Sequence, residues 1–459
     1  MSDETDTDGS GASQGPAVRS SRVYRWLDHR LDLDRPFLGK AFPEDQFGSF
    51  LLGEVALFTF VILALSGTYL GLLYEPVAAE SWQYKGQVSQ YAGKTLPGAF
   101  ASVLRITYDV RLGMYVRMVH HWAAYFFIAA MALHMFRVFF SGVYRNPREV
   151  NWLVGSTLLL LSLVEGFFGY ALPYDNFSKT ATSIGFEITA TIPVLGQALE
   201  NLVFGGNFPA NAPSVLARMY FYHVFLLPLL LAGLIGVHLA ILVHQKHTEQ
   251  RSARDTDHAE DIGEDESVVV GQPLVPQQTA MSAVVFLFTA AVISFLAALF
   301  PVQRIALVGP ASIFSTPPDV SPDWFFMWVF GALKLVPSGF GSLGRFFGGV
   351  VFPSLLVLAM YLWVFYDRSD DPIRFAANPL DRPLPTALGI SAIALILMLS
   401  IAGMNSFVAD IFGTTTEAVN PILLGLTIVV PLAEGLIVYG MLRRRVARQN
   451  PGHSATADD

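Results

Sequence analysis

Four histidines in two apolar stretches carry the residue types and spacing that could do chemistry. His120 and His134 are 14 residues apart, and His223 and His238 are 15 apart. Imidazole in an apolar membrane segment must face something inside the protein. At 1.5 Å per residue, 14 residues give about 21 Å of helix rise. Fourteen residues return to within about 40° of the same helix face, and fifteen to within about 60°. Each pair therefore occupies one face of its helix, near opposite ends. If the two helices run parallel, His120 can face His223 and His134 can face His238. Each facing pair could then clamp an iron from both sides, as facing helices do in haem bundles. Such ligation leaves no open metal position and suits electron transfer rather than oxygen chemistry. One such histidine alone reads as a hydrogen-bonded core residue; four in this register do not. His121, 13 residues from His134, is an in-register rival to His120 and reads as its neighbour.

Glycines repeat the interval. Gly53 and Gly67 are 14 apart, as are Gly155 and Gly169. A residue without a side chain lets a flat ring approach the backbone, so each ring is expected to meet glycines at its own depth. Small-residue helix packing is the ordinary alternative, and the shared interval weighs against it. Arg117 and Arg137 lie three residues from His120 and His134, each toward its own membrane surface. They are placed to pair with haem propionates or to snorkel.

These residues need elements long enough to hold them at two depths. The chain of 459 residues is 53% hydrophobic and only 14% charged, too apolar for a soluble protein of its length. A bilayer needs roughly 20 apolar residues per helix. The expected fold is all-α integral membrane, with eight spans at 49–74, 114–142, 152–173, 216–245, 281–300, 348–366, 385–404 and 421–442. A four-helix dihaem bundle (19–246) and a four-helix C-terminal half (281–445) flank an acidic linker at 247–280. Residues 1–18 and 446–459 read as polar tails, and the polar start predicts no cleavable signal peptide. Residues 19–40 read as interfacial, 184–203 as a short surface helix, and 301–347 as more than a solvent loop. The absence of cysteine excludes disulfides, protein-ligated iron–sulfur clusters and thioether-bound haem within this chain. At a net charge of −8 no nucleic-acid partner is expected. With both termini inside, the inner segments hold 18 of the 29 Lys and Arg, which predicts a multi-pass cell-membrane protein with cytoplasmic termini. The second and fourth spans then run in the same direction.

Short motifs extend the pattern over roughly 24–445. They are V-H-H-W at 119–122, L-H-M-F-R-V at 133–138, G-Y-A-L-P at 169–173, I-P-V-L-G at 192–196, Y-H-V-F-L-L-P at 222–228 and P-D-W-F at 322–325. On these the chain resembles the cytochrome b subunit of the quinol:cytochrome c oxidoreductase (cytochrome bc) complex. F-L-L-G-E at 50–54, Q-K-H-T at 245–248 and the 15-residue spacing look closest to the actinobacterial and photosynthetic branches.

The resemblance implies two noncovalent b-type haems, a low-potential outer and a high-potential inner one, and a quinol/quinone substrate. It implies as partners a Rieske iron–sulfur protein, a c-type cytochrome or other electron acceptor, membrane lipid and a second copy of the chain. The family's P-E-W-Y motif lies at the outer quinol-oxidation pocket, where its glutamate is thought to take a proton. Here it reads Pro322-Asp323-Trp324-Phe325, with a carboxylate one methylene shorter and one hydroxyl fewer. A carboxylate in an apolar aromatic stretch should have a raised pKa and could shuttle protons; it could also cap the helix that follows. Tyr170 matches a residue lining the same pocket. At the inner quinone site, His244, Lys246 and His247 are candidates, while the family's Lys-Asp pair before the fifth span is absent, the chain reading Pro276-Gln277-Gln278-Thr279. Glu165 and Glu434, inside spans, are possible proton-path residues.

The expected function is that of a respiratory quinol:cytochrome c-type oxidoreductase core, with bifurcated quinol oxidation coupled to transmembrane electron transfer and proton translocation. A dihaem anchor feeding another enzyme, such as a nitrate reductase, needs the histidines but not Asp323. A haem-free transporter would need broken helices and repeats.

Overall fold

A computed structural model describes residues 51–206, 208, 212–245, 274–312, 320–368 and 378–449. The predicted segment at 19–40, the first 18 residues, most of the 247–280 linker, Lys246 and His247 lie outside this range.

Eight described helices are long and apolar enough to cross a membrane. They are α1 (Leu52–Gly71), α2 (Gly113–Ser141), α3 (Glu149–Ala171), α4 (Ser214–Val243), α5 (Thr279–Leu299), α6 (Gly341–Tyr366), α7 (Pro383–Gly403) and α8 (Thr416–Gln449). Their outer faces are strongly apolar: Val284, Leu287, Phe288 and Phe295 on α5 are all exposed, as are Ile428, Val429, Leu432 and Leu436 on α8. Such surface is costly in water and at home in hydrocarbon. The buried positions inside the spans include small and polar residues, among them Thr59, Ser66, Ser156, Ser162 and Thr427, beside large ones such as Phe127, Trp152 and Leu158. Small residues let membrane helices approach closely.

Helix ends follow local chemistry. α2 stops at Gly142, which takes the left-handed conformation (φ 69°) that closes a helix. α7 begins on Pro383, whose missing N–H costs nothing in the first turn. α8 extends to Gln449, past the predicted limit of 442. Hydropathy ends before the helix does, because the Arg-rich continuation is polar but made of good helix formers.

The surface helix between α3 and α4 is also displaced. It runs over Asn176–Ala190 rather than 184–203. Asp175 starts it with a capping box: Oδ1 accepts from Ser178 N–H at 2.7 Å, and Asp175 N–H donates to Ser178 Oγ at 2.8 Å. The I-P-V-L-G motif is then a turn, with Val194 at positive φ, before a short helical stretch over 196–204. Between α1 and α2 lie elements that hydropathy does not announce. Strands β1 (Glu80–Gln83) and β2 (Thr95–Pro97) pair antiparallel, and a helix over Gly98–Tyr108 buries Phe100 and Leu104.

The first four spans pack around the histidines, and the C-terminal spans lace onto them. Trp152 Nε1 of α3 donates to Met360 O of α6 at 2.9 Å. Arg382, at the start of α7, donates to Phe139 O of α2 at 2.9 Å. The predicted 301–347 connection contains a helix over Met327–Leu335 that crosses α7 at glycines. A Cβ at Gly331 would sit 1.8 Å from Leu399 O, and one at Gly403 2.5 Å from Met327 O. Only glycine permits that approach, and it seats the helix that directly follows the P-D-W-F segment.

Candidate functional site

The histidines pair between helices. The ring centroids of His120 and His223 are 6.1 Å apart and those of His134 and His238 6.4 Å. In both pairs the rings are nearly perpendicular, at 82° and 80°. Because each pair joins corresponding ends, α2 and α4 run parallel. A metal ion held about 2 Å from one nitrogen of each ring puts the centroids roughly 6 Å apart, so both separations fit bis-histidine ligation. His121 turns away from this line; its ring stands edge-on to Tyr125 at 4.7 Å.

Each imidazole is backed by one glycine. A Cβ on Gly67 would meet His120 Cε1 at 3.1 Å, and one on Gly53 would meet His134 Cε1 at 3.3 Å. Across the bundle, Gly169 would meet His223 Cε1 at 2.5 Å and Gly155 would meet His238 Cε1 at 3.4 Å. Within the chain, what fills the space over these glycines is therefore imidazole.

In the His120–His223 pair, hydrogen bonds to Nδ1 leave Nε2 as the nitrogen that could ligate a metal. Ser66 Oγ donates to Ile62 O at 2.6 Å, so its oxygen accepts from His120 Nδ1 at 2.9 Å. His223 Nδ1 lies 2.9 Å from Glu165 Oε1 and 3.2 Å from Glu165 O. Partners of this kind fix the tautomer and orientation of a ligating histidine. Glu165 thus acquires a place beside His223, whereas Glu434 is exposed on α8.

The one-residue difference in spacing has a structural cause. Tyr222–Leu226 forms a π turn inside α4, with Leu227 N–H bonding to Tyr222 O, directly before Pro228. A π turn takes in one extra residue. The 15-residue interval therefore covers the ground that 14 residues cover in α2.

Asp323 lies against the same α2. Its Oδ1 accepts from Tyr125 Oη at 2.6 Å. Its side chain does not cap the following 3₁₀ turn, Trp324–Phe326, which corrects the expectation of an N-cap. Burial pushes the Asp323 carboxyl above the ordinary carboxylate range; the Tyr125 hydrogen bond opposes this with a smaller effect. Pro322 precedes it, partly buried, and Trp324 is exposed. Phe325 is buried against Gly166 of α3, where a Cβ would meet its ring at 3.3 Å, and stands edge-on to Tyr125 at 6.3 Å. Tyr170 is within electrostatic reach of both Asp323 and Asp175. Tyr125, unmentioned in the sequence reading, is the residue that ties this segment to the histidine helix.

Arg117 NH2 donates to Gln303 O at 3.2 Å and to Gln303 Oε1 at 3.0 Å, and Gln303 Nε2 reaches Asp175 Oδ2 at 3.1 Å. Arg137 sits one turn beyond His134, partly buried. At the other end of the bundle, Gln278 Nε2 donates to Glu54 Oε1 at 2.6 Å. Gln278 belongs to the Pro276–Thr279 stretch in which the family's Lys-Asp pair is absent, and Glu54 adjoins Gly53. His244 falls within the last turn of the helix continuing α4, Leu227–Gln245.

Comparison with known proteins identifies the family. Residues 125–310 match the family described as Cytochrome b(N-terminal)/b6/petB, and residues 310–419 match Cytochrome b(C-terminal)/b6/petD. The chain is 35% identical over 423 residues to the cytochrome bc1 complex cytochrome b subunit of Streptomyces coelicolor, covering 89% of this chain and 75% of that one. The corresponding subunit of Mycobacterium tuberculosis is 34% identical over 395 residues, covering 83% and 69%. A solved structure titled Hyperthermophilic respiratory Complex III superposes with a TM-score of 0.63 at 22% identity, over 91% of this chain and 99% of that one. With two matched family regions in series and relatives alike over most of its length, the chain belongs to the cytochrome b/b6 family of multi-pass membrane proteins.

Proposed function

We propose that this chain is the dihaem, quinol-oxidising core of a respiratory quinol:cytochrome c-type oxidoreductase. His120 and His223 hold the outer b-type haem, and His134 and His238 the inner one. Bound there, the haems supply one-electron transfer between the two membrane faces. The protein's part is ligation, orientation and exclusion of water. Arg117 and Arg137, flanking the two histidine pairs, would neutralise the haem propionates.

Quinol oxidation releases two electrons and two protons. Asp323 is the proton acceptor at the outer pocket, walled by Phe325 and Tyr170, with Tyr125 orienting its carboxylate. One electron leaves to a Rieske iron–sulfur partner, which passes it to a c-type cytochrome or another acceptor, and the other crosses the membrane through this chain. That crossing works against the membrane potential, at about 2.3 kcal/mol per charge per 100 mV. Quinone reduction is assigned to the inner end, near Glu54 and Gln278, with His244 and Lys246 as the candidates the sequence offers. Both termini are placed in the cytoplasm by the Lys and Arg distribution, and the working form is a homodimer in the cell membrane.

The observation that carries this reading over a passive haem anchor is the 2.6 Å bond from Tyr125 to Asp323. It joins a carboxylate with a raised pKa to the helix that bears an outer haem ligand. A general base typically contributes 10²- to 10⁴-fold. Asp323→Asn should leave both haem spectra intact and slow quinol oxidation by about 100-fold or more. The base is competent only when ionised, so the wild-type rate should fall as pH drops through a pKa above the ordinary value of about 4. That acid limb should vanish in Asp323→Asn. Unchanged turnover, or an unchanged acid limb, counts against the role.

A further inference from the structure

The outer histidines stand in unequal surroundings. His120 leans on the neutral hydroxyl of Ser66 at 2.9 Å, whereas His223 Nδ1 points at the carboxylate of Glu165, also at 2.9 Å. Both members of the second pair are largely buried. The other carboxylate oxygen, Glu165 Oε2, is buried and has no hydrogen-bond partner among the described residues. A carboxylate buried with so little compensation is costly, and the group it serves is His223.

The backbone arrangement is specific to this contact. Glu165 and Gly169 are one helical turn apart on α3. Gly169 clears the space over His223 Cε1, where a Cβ would stand at 2.5 Å. The cleared ring reaches both the Glu165 side chain and its backbone carbonyl, at 2.9 and 3.2 Å. His223 itself lies within the π turn at Tyr222–Leu226.

We propose that Glu165 is a positioning residue that sets the potential of the outer haem through His223. A hydrogen bond from Nδ1–H to a carboxylate raises the basicity of the imidazole and hence its electron donation through Nε2. Stronger donation and a nearby negative charge both favour ferric over ferrous iron, which lowers the reduction potential. A lowered outer potential favours onward transfer toward the inner haem. Glu165 forms no bond to quinol or iron in this role; it acts on the metal through its ligand.

This inference rests on the two-haem reading above, and haem content separates the two. Purified wild type and Glu165→Gln are titrated redox-potentiometrically, with haem quantified and ferric low-spin EPR recorded. Glu165→Gln is expected to retain two haems per chain, to raise the midpoint of the outer component, to shift its EPR signal and to leave the inner component where it was. If Glu165→Gln loses the outer haem, Glu165→Asp is titrated instead, with a smaller upward shift expected because the shorter side chain lengthens the bond. An outer midpoint equal to wild type, in whichever variant keeps the haem, overturns the inference. Fewer than two haems in the wild type overturns the reading beneath it.

Discussion

At Gly169 a methyl group would stand 2.5 Å from Cε1 of His223, closer than real Cβ atoms come to a neighbour, while at Gly155 it would stand 3.4 Å from His238, within ordinary contact. The four glycines should therefore not be equivalent. Gly169→Ala is expected to displace His223 and cost most of the outer haem. Gly155→Ala should keep both haems, with Gly67→Ala and Gly53→Ala between them, as read by haem content after purification. Equal losses at Gly169 and Gly155 would contradict the ranking. The histidines and glycines were legible in the sequence because their intervals repeat along single helices. Their polar partners were not. Ser66 is 54 residues from His120, Tyr125 is 198 from Asp323, and Glu165 is 58 from His223. No periodicity links residues brought together only by packing between helices. Glu165 was visible as an ionisable residue in a span, but its partner was not.

The elements set these residues at two depths, and α4 does so with a device that spacing alone hides. An interval of 15 on a regular helix would turn His238 by about 100° relative to an interval of 14. The π turn at Tyr222–Leu226 absorbs the extra residue next to Pro228, whose ring and missing N–H disfavour regular α-helix. Deleting Phe225 together with Pro228→Ala should convert the turn to α-helix and still retain two haems. Loss of the inner haem in that variant would show that the turn does not set the register. Span existence was readable from hydropathy, whereas span ends and surface helices depended on local bonds. The Asp175–Ser178 capping box moved the surface helix to Asn176, because caps are written in polar residues that an apolar window discards. The hairpin at 80–97 escaped for a similar reason: its strands are four and three residues long and lack an alternating apolar face.

On the scale of the whole molecule, a C-terminal half reaches across the bundle to place one carboxylate. The helix at 327–335 locks onto α7 through Gly331 and Gly403, Gln278 at the start of α5 bonds to Glu54, and the P-D-W-F segment delivers Asp323 to Tyr125 on α2. In the proposed reading a proton acceptor then stands at one end of a bundle whose two histidine pairs lie about 21 Å apart along α2. The central claim is the crosswise assignment: His120 with His223, His134 with His238. A redox titration of His223→Leu, read at the haem b absorbance beside wild type, tests it most directly. Loss of one b-type component with the other retained near its wild-type potential is the expected result. Two full b-type components in His223→Leu would contradict it.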